Sequence, residues 1–130
     1  MKVNKPGLST KSVHAGESRQ KPSHAITNPI VQTSTYVFRD TEELIDFNTG
    51  KINRDEYGRY GNPTRAVAEA KLAALDGAEE AVLFSSGMSA IVSVLLAMLS
   101  SGSHVVIMDE CYRRTRQFCL EVLPRYGIDV

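Results

Sequence analysis

Apolar positions fall into two regimes along the chain, and the change comes at Asn62-Pro63-Thr64. Asn62 suits a helix cap and Pro63 the first helical position, where no amide hydrogen is required. Ala68, Leu72 and Leu75 then recur at helical spacing until Gly77, which predicts a helix ending there. Ala81-Val82-Leu83-Phe84 is a short apolar run that predicts a strand, Ser85-Ser86-Gly87 a turn, and Met88 to Leu99 a nearly all-apolar helix buried on most sides. Ser101-Gly102-Ser103 interrupts the pattern. His104-Val105-Val106-Ile107-Met108 predicts a second strand ending at Asp109, followed by a helical stretch from about Arg113 to Tyr126 and the start of a third strand at Ile128.

Before this region, from Met1 to about Asn53, neither a period of 2 nor of 3.6 is sustained, and Lys, Ser, Thr, Asn and Pro dominate. The stretch reads as an arm. Pro29 to Phe38 is β-prone in its branched and aromatic content, but Pro29 and the hydroxyls predict an extended segment lying on something else. Thr41 to Phe47 predicts a short helix with acids in its first turn. No internal repeat is visible.

Continuous apolar strands alternating with helix-length segments indicate an α/β fold with a parallel sheet covered on both faces. That sheet is unfinished at Val130, with an open edge and a half-covered core, so the expectation is a fragment of a larger protein.

Composition narrows the function. A chain of 130 residues allows one globular domain at most. Its 15 Lys+Arg balance 15 Asp+Glu, so no long-range field favours nucleic acid or an anionic membrane. The longest apolar stretch, about Ala90 to Leu99 with Ser93 inside it, falls well short of the roughly 20 residues of a bilayer span. Met1 to Gly7 carries no apolar secretion core, so a cytoplasmic location is expected. Cys111 and Cys119 fit neither a CxxC pair nor a zinc set and are expected to be free packing thiols. His14, His24 and His104 show no metal-ligand spacing.

Three stretches carry candidate chemistry. Phe84 to Ala90 joins a strand to a helix start, where free amides and the helix dipole make an anion site, Gly87 permits close approach, and Ser86 and Ser89 offer hydroxyls. It reads equally as a tight turn with serine caps. It lacks both the spaced glycines of dinucleotide sites and the Gly-Lys-Ser/Thr of triphosphate sites. In Tyr57 to Thr64, Arg59 offers a planar fork for phosphate and Tyr57 a hydroxyl on the same side of an extended chain; a solvated glycine-rich loop is the plainer alternative. Asp109 to Arg116 follows a strand's carboxyl end, where open parallel sheets place ligands. There Tyr112 can stack on a flat ring and Arg114 or Arg116 can meet an acidic substrate, against the alternative of a solvated helix start.

Tyr57-Gly58-Arg59-Tyr60-Gly61-Asn62-Pro63-Thr64, Ser86-Gly87-Met88-Ser89-Ala90 and Asp109-Glu110-Cys111-Tyr112, in that order and at these separations, resemble the pyridoxal-phosphate enzymes of cysteine and methionine metabolism, and among them the cystathionine gamma-synthase branch. Ser12-Val13-His14-Ala15-Gly16 and Pro29 to Ser34 extend the resemblance over essentially the whole chain.

The resemblance implies the pyridoxal-phosphate-dependent transferase fold type I. Residues 1–60 would be an arm contacting a neighbouring subunit, and 61–130 the truncated first part of the cofactor domain. It implies that Ser86 and the amides of Gly87 and Met88 hold the phosphate of pyridoxal 5'-phosphate. Tyr57 and Arg59 would hold the phosphate bound in the adjacent subunit, making a dimer the active unit within a homotetramer. Tyr112 would lie over the pyridine ring and shuttle protons. Glu56 would receive the amino group of cysteine, and Arg114 suits the anionic leaving group of an O-activated homoserine. The implied reaction is gamma-replacement giving cystathionine, with gamma-lyase and homoserine sulfhydrylase chemistry as alternatives, and a noncatalytic fragment docking onto a complete relative as another. The chain has no lysine after Lys71, and neither Lys71 nor Lys51 is placed like the lysine that bonds the cofactor, so the chain alone is expected to be inactive.

Overall fold

The computed structural model describes residues 6–130. Among them are five α-helices: α1 (Leu8–His14), α2 (Thr41–Asn48), α3 (Pro63–Asp76), α4 (Gly87–Met98) and α5 (Arg113–Glu121). Short 3-10 turns cover Pro22–His24 and Leu123–Tyr126. The chain divides into two compact units, Met1–Leu83 and Phe84–Val130. The expectation drawn from Met1 to Gly7 rests mostly on residues 1–5, which lie outside the described residues. No helix among the described residues is long and apolar enough to cross a membrane.

In the first unit α3 is the organising element, and it starts and stops where its sequence predicts. Asn62 Oδ1 accepts from the amides of Thr64 at 2.9 Å and Arg65 at 3.3 Å, Pro63 has no amide to satisfy, and Gly77 ends the helix in the left-handed region at φ 70°. The extended segment after Pro29 lies against this same helix start. Val31 N donates to Thr64 Oγ1 at 2.9 Å and Asn62 Nδ2 donates back to Val31 O at 3.0 Å. The helix expected over Thr41 to Phe47 is α2, with Asp40 as its cap, accepting from Glu43 N at 2.8 Å. That amide bond and the Arg39 guanidinium hold the Asp40 carboxyl below the usual carboxylate range.

Helix α1 is absent from the sequence expectation, and its support is tertiary. Seven residues are too few to hold a helix by propensity. Lys71 Nζ, from α3, donates to the carbonyls of Ser12 at 3.2 Å and Val13 at 2.6 Å, at the negative end of α1, and to Glu17 Oε1 at 2.6 Å. Lys11 Nζ donates to Ala74 O at 3.0 Å. After α1 the chain turns at Gly16, whose φ is 72°; a Cβ there would meet Ala70 Cβ at 2.6 Å, so the crossing needs glycine.

The second unit packs Cys119, Leu123 and Ile128 into a buried cluster, covered by Leu95, Leu99, Val105, Ile107 and Phe118. Cys119 is a packing thiol, and burial pushes its ionisation up. Cys111 is half-buried, and both cysteines are free. The helical stretch expected to Tyr126 divides at Val122, because Pro124 has no amide to continue the ladder, and a 3-10 turn runs on to Gly127 at φ 72°.

Two expectations are corrected here. The runs 81–84 and 104–108 do not form regular strands. Among the described residues the pairing in this unit is a single parallel bridge, His104 with Asp129, in which Val105 N donates to Asp129 O and Asp129 N to Ser103 O, each at 2.9 Å. A strand exists only through its neighbour, and Val106 and Met108 stand 83% and 70% exposed. Helix α4, expected to be buried on most sides, has no buried residue, and Val94 and Met98 are 55% and 79% exposed. Its inner side, through Leu95, meets the cluster.

Two tests follow from the first unit. Asn62→Ala removes the acceptor for two helix amides and the donor to Val31 O, so it should cost about 1–2 kcal/mol in urea denaturation. Glu17 accepts from Lys71 and is paired with Lys21, which together hold its carboxyl below the usual range. A depressed folded value means that this stabilisation is complete above the ordinary glutamate value of about 4.3 and disappears as pH falls through the lower folded value. Glu17→Gln should therefore flatten the acid limb of the denaturation midpoint against pH, and an unchanged limb would contradict the pairing.

Candidate functional site

The loop between residues 84 and 87 delivers the chain into α4 with Ser86 as its cap. Ser86 Oγ accepts from Ser89 N at 3.1 Å, and Ser86 O accepts from Ala90 N at 3.1 Å. The two amides between, on Gly87 and Met88, lie at the first two helical positions, where no preceding carbonyl of the helix can reach them. The start of α3 is the instructive contrast. There Pro63 has no N–H, Asn62 Oδ1 takes Thr64 and Arg65, and Asn62 O takes Ala66 at 3.0 Å, so every amide of the turn is accounted for. The cap of α4, like that of α2, where Asp40 takes only the amides of Glu43 and Leu44, leaves two donors beside the positive end of the dipole; α2 carries Glu42 and Glu43 in its first turn, whereas α4 has no acid there.

Around those donors the site is open. A Cβ added to Gly87 would meet no atom within 4 Å, so an acceptor can approach the backbone. Ser86 Oγ and Ser89 Oγ lie 2.9 Å apart and share one hydrogen bond, which uses one hydroxyl hydrogen and leaves the other to donate outward. Two amides, one hydroxyl and a helix dipole form a donor set that fits a phosphate. Thr115 Oγ1 from α5 reaches Met88 Sδ at 3.5 Å and anchors that side chain. The sequence carries no local signal for this contact, because Thr115 and Met88 are 27 residues apart.

The Tyr57–Thr64 stretch brings Tyr57 and Arg59 together by a route other than the one expected. The chain from Tyr57 to Tyr60 is a turn, not an extended strand, closed by Tyr60 N donating to Tyr57 O at 2.9 Å and Gly61 N to the same oxygen at 3.1 Å. Arg59 folds back so that its guanidinium carbon is 4.9 Å from the centre of the Tyr57 ring. The turn hangs on the arm through an antiparallel bridge between Thr35 and Tyr57, with Tyr36 N donating to Glu56 O at 3.0 Å and Gly58 N to Ser34 O at 2.7 Å. The Asp55 carboxylate lies where a Cβ on Gly61 would come, so a side chain there would have to displace it. Glu56, half-buried, lines a cleft of about 540 Å³ together with Arg54, Asp55, Tyr60, Asn62 and Arg65.

Tyr112 stands just before α5, 64% exposed, and its carbonyl accepts from Arg116 N. Arg114 donates to Gln117 Oε1 at 2.7 Å, and Arg116 is held by Asp109. Arginines at 113, 114 and 116 lie at the positive end of a helix that has no side-chain cap, where cations are disfavoured. Lys71, excluded above as the residue that bonds a cofactor, is committed to Glu17 and two carbonyls, and Lys51 to Asp46.

A family profile described as Cys/Met metabolism PLP-dependent enzyme matches residues 9–130. The chain is 49% identical over 119 residues to a protein of Nicotiana tabacum named cystathionine gamma-synthase 1, chloroplastic, covering 90% of this chain and 22% of the relative. It is 40% identical over 134 residues to an L-methionine gamma-lyase of Fusobacterium nucleatum subsp. polymorphum, covering 100% of this chain and 33% of that protein. Its fold superposes with a TM-score of 0.83 on the crystal structure of metB from Corynebacterium glutamicum, at 32% identity, covering 99% of this chain and 32% of that one. The chain thus spans between a fifth and a third of the length of these proteins. With the donor set at the start of α4 in place and the match running from residue 9 to the last residue, the chain belongs to the Cys/Met metabolism PLP-dependent enzymes.

Proposed function

We propose that this chain is the amino-terminal part of an enzyme that replaces the gamma substituent of an O-activated homoserine with cysteine. In that reaction the Cγ–O bond of the homoserine breaks, a carboxylate or phosphate departs, and the cysteine sulfur forms the new Cγ–S bond of cystathionine. The observation that carries the reading is the pair of unspent amides on Gly87 and Met88 at the start of α4, which suits the phosphate of the family's cofactor. When bound, pyridoxal 5'-phosphate would supply an electron sink that makes the proton on Cα of the amino-acid substrate, and after it one on Cβ, labile.

The chain's own residues then have separate tasks. Gly87, Met88 and the Ser86 hydroxyl hold the phosphate and so set the position of the ring. Tyr57 and Arg59 hold the phosphate bound in an adjacent subunit, so that a dimer is the active unit, assembled further into a tetramer. Residues 1–60 act as the arm that reaches this neighbour, and 61–130 form the first part of the cofactor domain. Tyr112 covers the ring and carries protons at its phenolic oxygen. Glu56 receives the ammonium group of the incoming cysteine. Arg114 keeps N–H groups beyond the one given to Gln117 and directs them to the departing anion. Free thiols at Cys111 and Cys119 suit a reducing compartment such as the cytoplasm.

The second reading is elimination by a gamma-lyase, favoured by the identity shared with the Fusobacterium protein along the whole chain. Supplying the native enzyme with an O-activated homoserine, with and without cysteine, separates the two. Gamma-replacement predicts cystathionine as the main product when cysteine is present, whereas a 2-oxo acid and ammonia released at the same rate regardless of cysteine would establish elimination. Arg59→Ala in the same protein should raise the dissociation constant for pyridoxal 5'-phosphate about tenfold or more, as expected for losing a charge-assisted bond to phosphate, while the thermal midpoint of the apoenzyme stays put. Unchanged cofactor affinity would remove Arg59 from the phosphate site.

A further inference from the structure

The Arg59 guanidinium lies against two aromatic rings, of which the sequence pointed to one. Its guanidinium carbon is 4.9 Å from the centre of the Tyr57 ring and 5.4 Å from that of Tyr60, and the two rings are 6.0 Å apart with a 56° tilt. Among the described residues the Arg59 side chain makes neither a hydrogen bond nor an ion pair, in contrast to Arg54, which is tied to Glu43 and Val37 O, and Arg116, which is tied to Asp109. Ring faces attract a guanidinium electrostatically without consuming its N–H groups, so Arg59 is held in place while its donors stay available.

We infer that Tyr60 is a positioning residue for the phosphate clamp: its ring holds the Arg59 guanidinium beside Tyr57 before the ligand arrives. The inference rests on the reading of Arg59 as a ligand of a phosphate monoester and adds to it the residue that orients the guanidinium. A free arginine side chain would lose rotamer freedom on binding, and ordering it beforehand removes part of that loss.

The backbone is built to keep the Tyr60 ring where it is. Tyr60 N is fixed by Tyr57 O, and Tyr60 O accepts from Arg65 Nη2 at 3.1 Å, so the end of the turn is anchored to α3. Gly58 is pressed against the arm, where a Cβ would come within 3.2 Å of Thr33 O, and Asp55 closes the space beside Gly61. With both flanking glycines packed in this way, the turn presents Tyr57, Arg59 and Tyr60 as a unit. Tyr60 itself is 67% exposed, so its ring contributes little to the core. Besides bordering the cleft next to Glu56, the ring contacts Arg59 and Tyr57.

The test uses the native full-length protein stripped of cofactor and titrated with pyridoxal 5'-phosphate by equilibrium dialysis, with thermal midpoints recorded alongside. Tyr60→Ala should weaken binding about three- to fivefold, the size of an exposed cation–π contact, and Tyr60→Phe, which keeps the ring, should stay within about twofold of the parent. In an Arg59→Ala background, Tyr60→Ala should have no further effect, since its action runs through the guanidinium. Full affinity in Tyr60→Ala, with Arg59→Ala still weak, would overturn the role of Tyr60 and leave the clamp intact. An equal loss from Tyr60→Ala in both backgrounds would overturn it as well, by showing a direct or purely structural effect. Full affinity in Arg59→Ala would bring down the clamp itself and with it the inference.

Discussion

The first turn of an α-helix exposes amides that have no carbonyl within the helix to receive them, and the way this chain meets that constraint decides both its architecture and its chemistry. At α2 Asp40 answers it in part, and at α3 Asn62 and the missing N–H of Pro63 answer it completely. At α4 Ser86 answers it in part, leaving the amides of Gly87 and Met88. The same physics therefore gives a closed helix start at α3 and one with free donors at α4, and the number of acceptors supplied from within the chain makes the difference.

Because the start of α3 is closed, it can serve as an anchor for other segments. Asn62 spends its oxygen on the helix and its amide group on Val31, and Thr64 takes the Val31 amide, which brings the extended arm onto α3. Further along the helix, Lys71 binds Val13 O of α1 and Glu17, and Ala74 O accepts from Lys11 of α1. The turn carrying Tyr57 and Arg59 is in turn bridged to the arm at Thr35 and pinned to α3 through Arg65. Loops that must present a guanidinium accurately are usually supported by rigid neighbours, and here a single helix supports the turn directly and through the arm.

Much of this was legible from local signals. The cap, the proline and the terminal glycine of α3 act within one turn of chain, so their residues announce them without reference to anything distant. The serine-glycine turn before α4 is likewise a local feature, and the free amides of its first turn follow from backbone geometry once a helix is known to begin. Helix α1 was not legible, because its stabilising partners, Lys71 and Ala74, lie about sixty residues away along the chain. The conformation from Tyr57 to Tyr60 was misjudged for a similar reason: a glycine-rich stretch is compatible with both strand and turn, and contacts with Ser34 and Asp55 select the turn. The strands at 81–84 and 104–108 were read from apolar content, but a strand is a relation between two segments, and the sequence of one segment does not contain the other.

Sequence alone determined where α2, α3 and α4 begin and where α3 ends, which residue types could meet a phosphate, and, through three ordered motifs, the family. Those properties depend on side chains acting on their own backbone within a few residues. Tertiary structure decided that residues 8–14 are a helix, that the Arg59 guanidinium lies against Tyr57 and Tyr60, and that Lys71 is spent on the arm. Each of these depends on the backbone conformation or on groups far apart in the chain, and neither is encoded by spacing: the distance between two side chains is set by how the chain folds back, which no local pattern specifies.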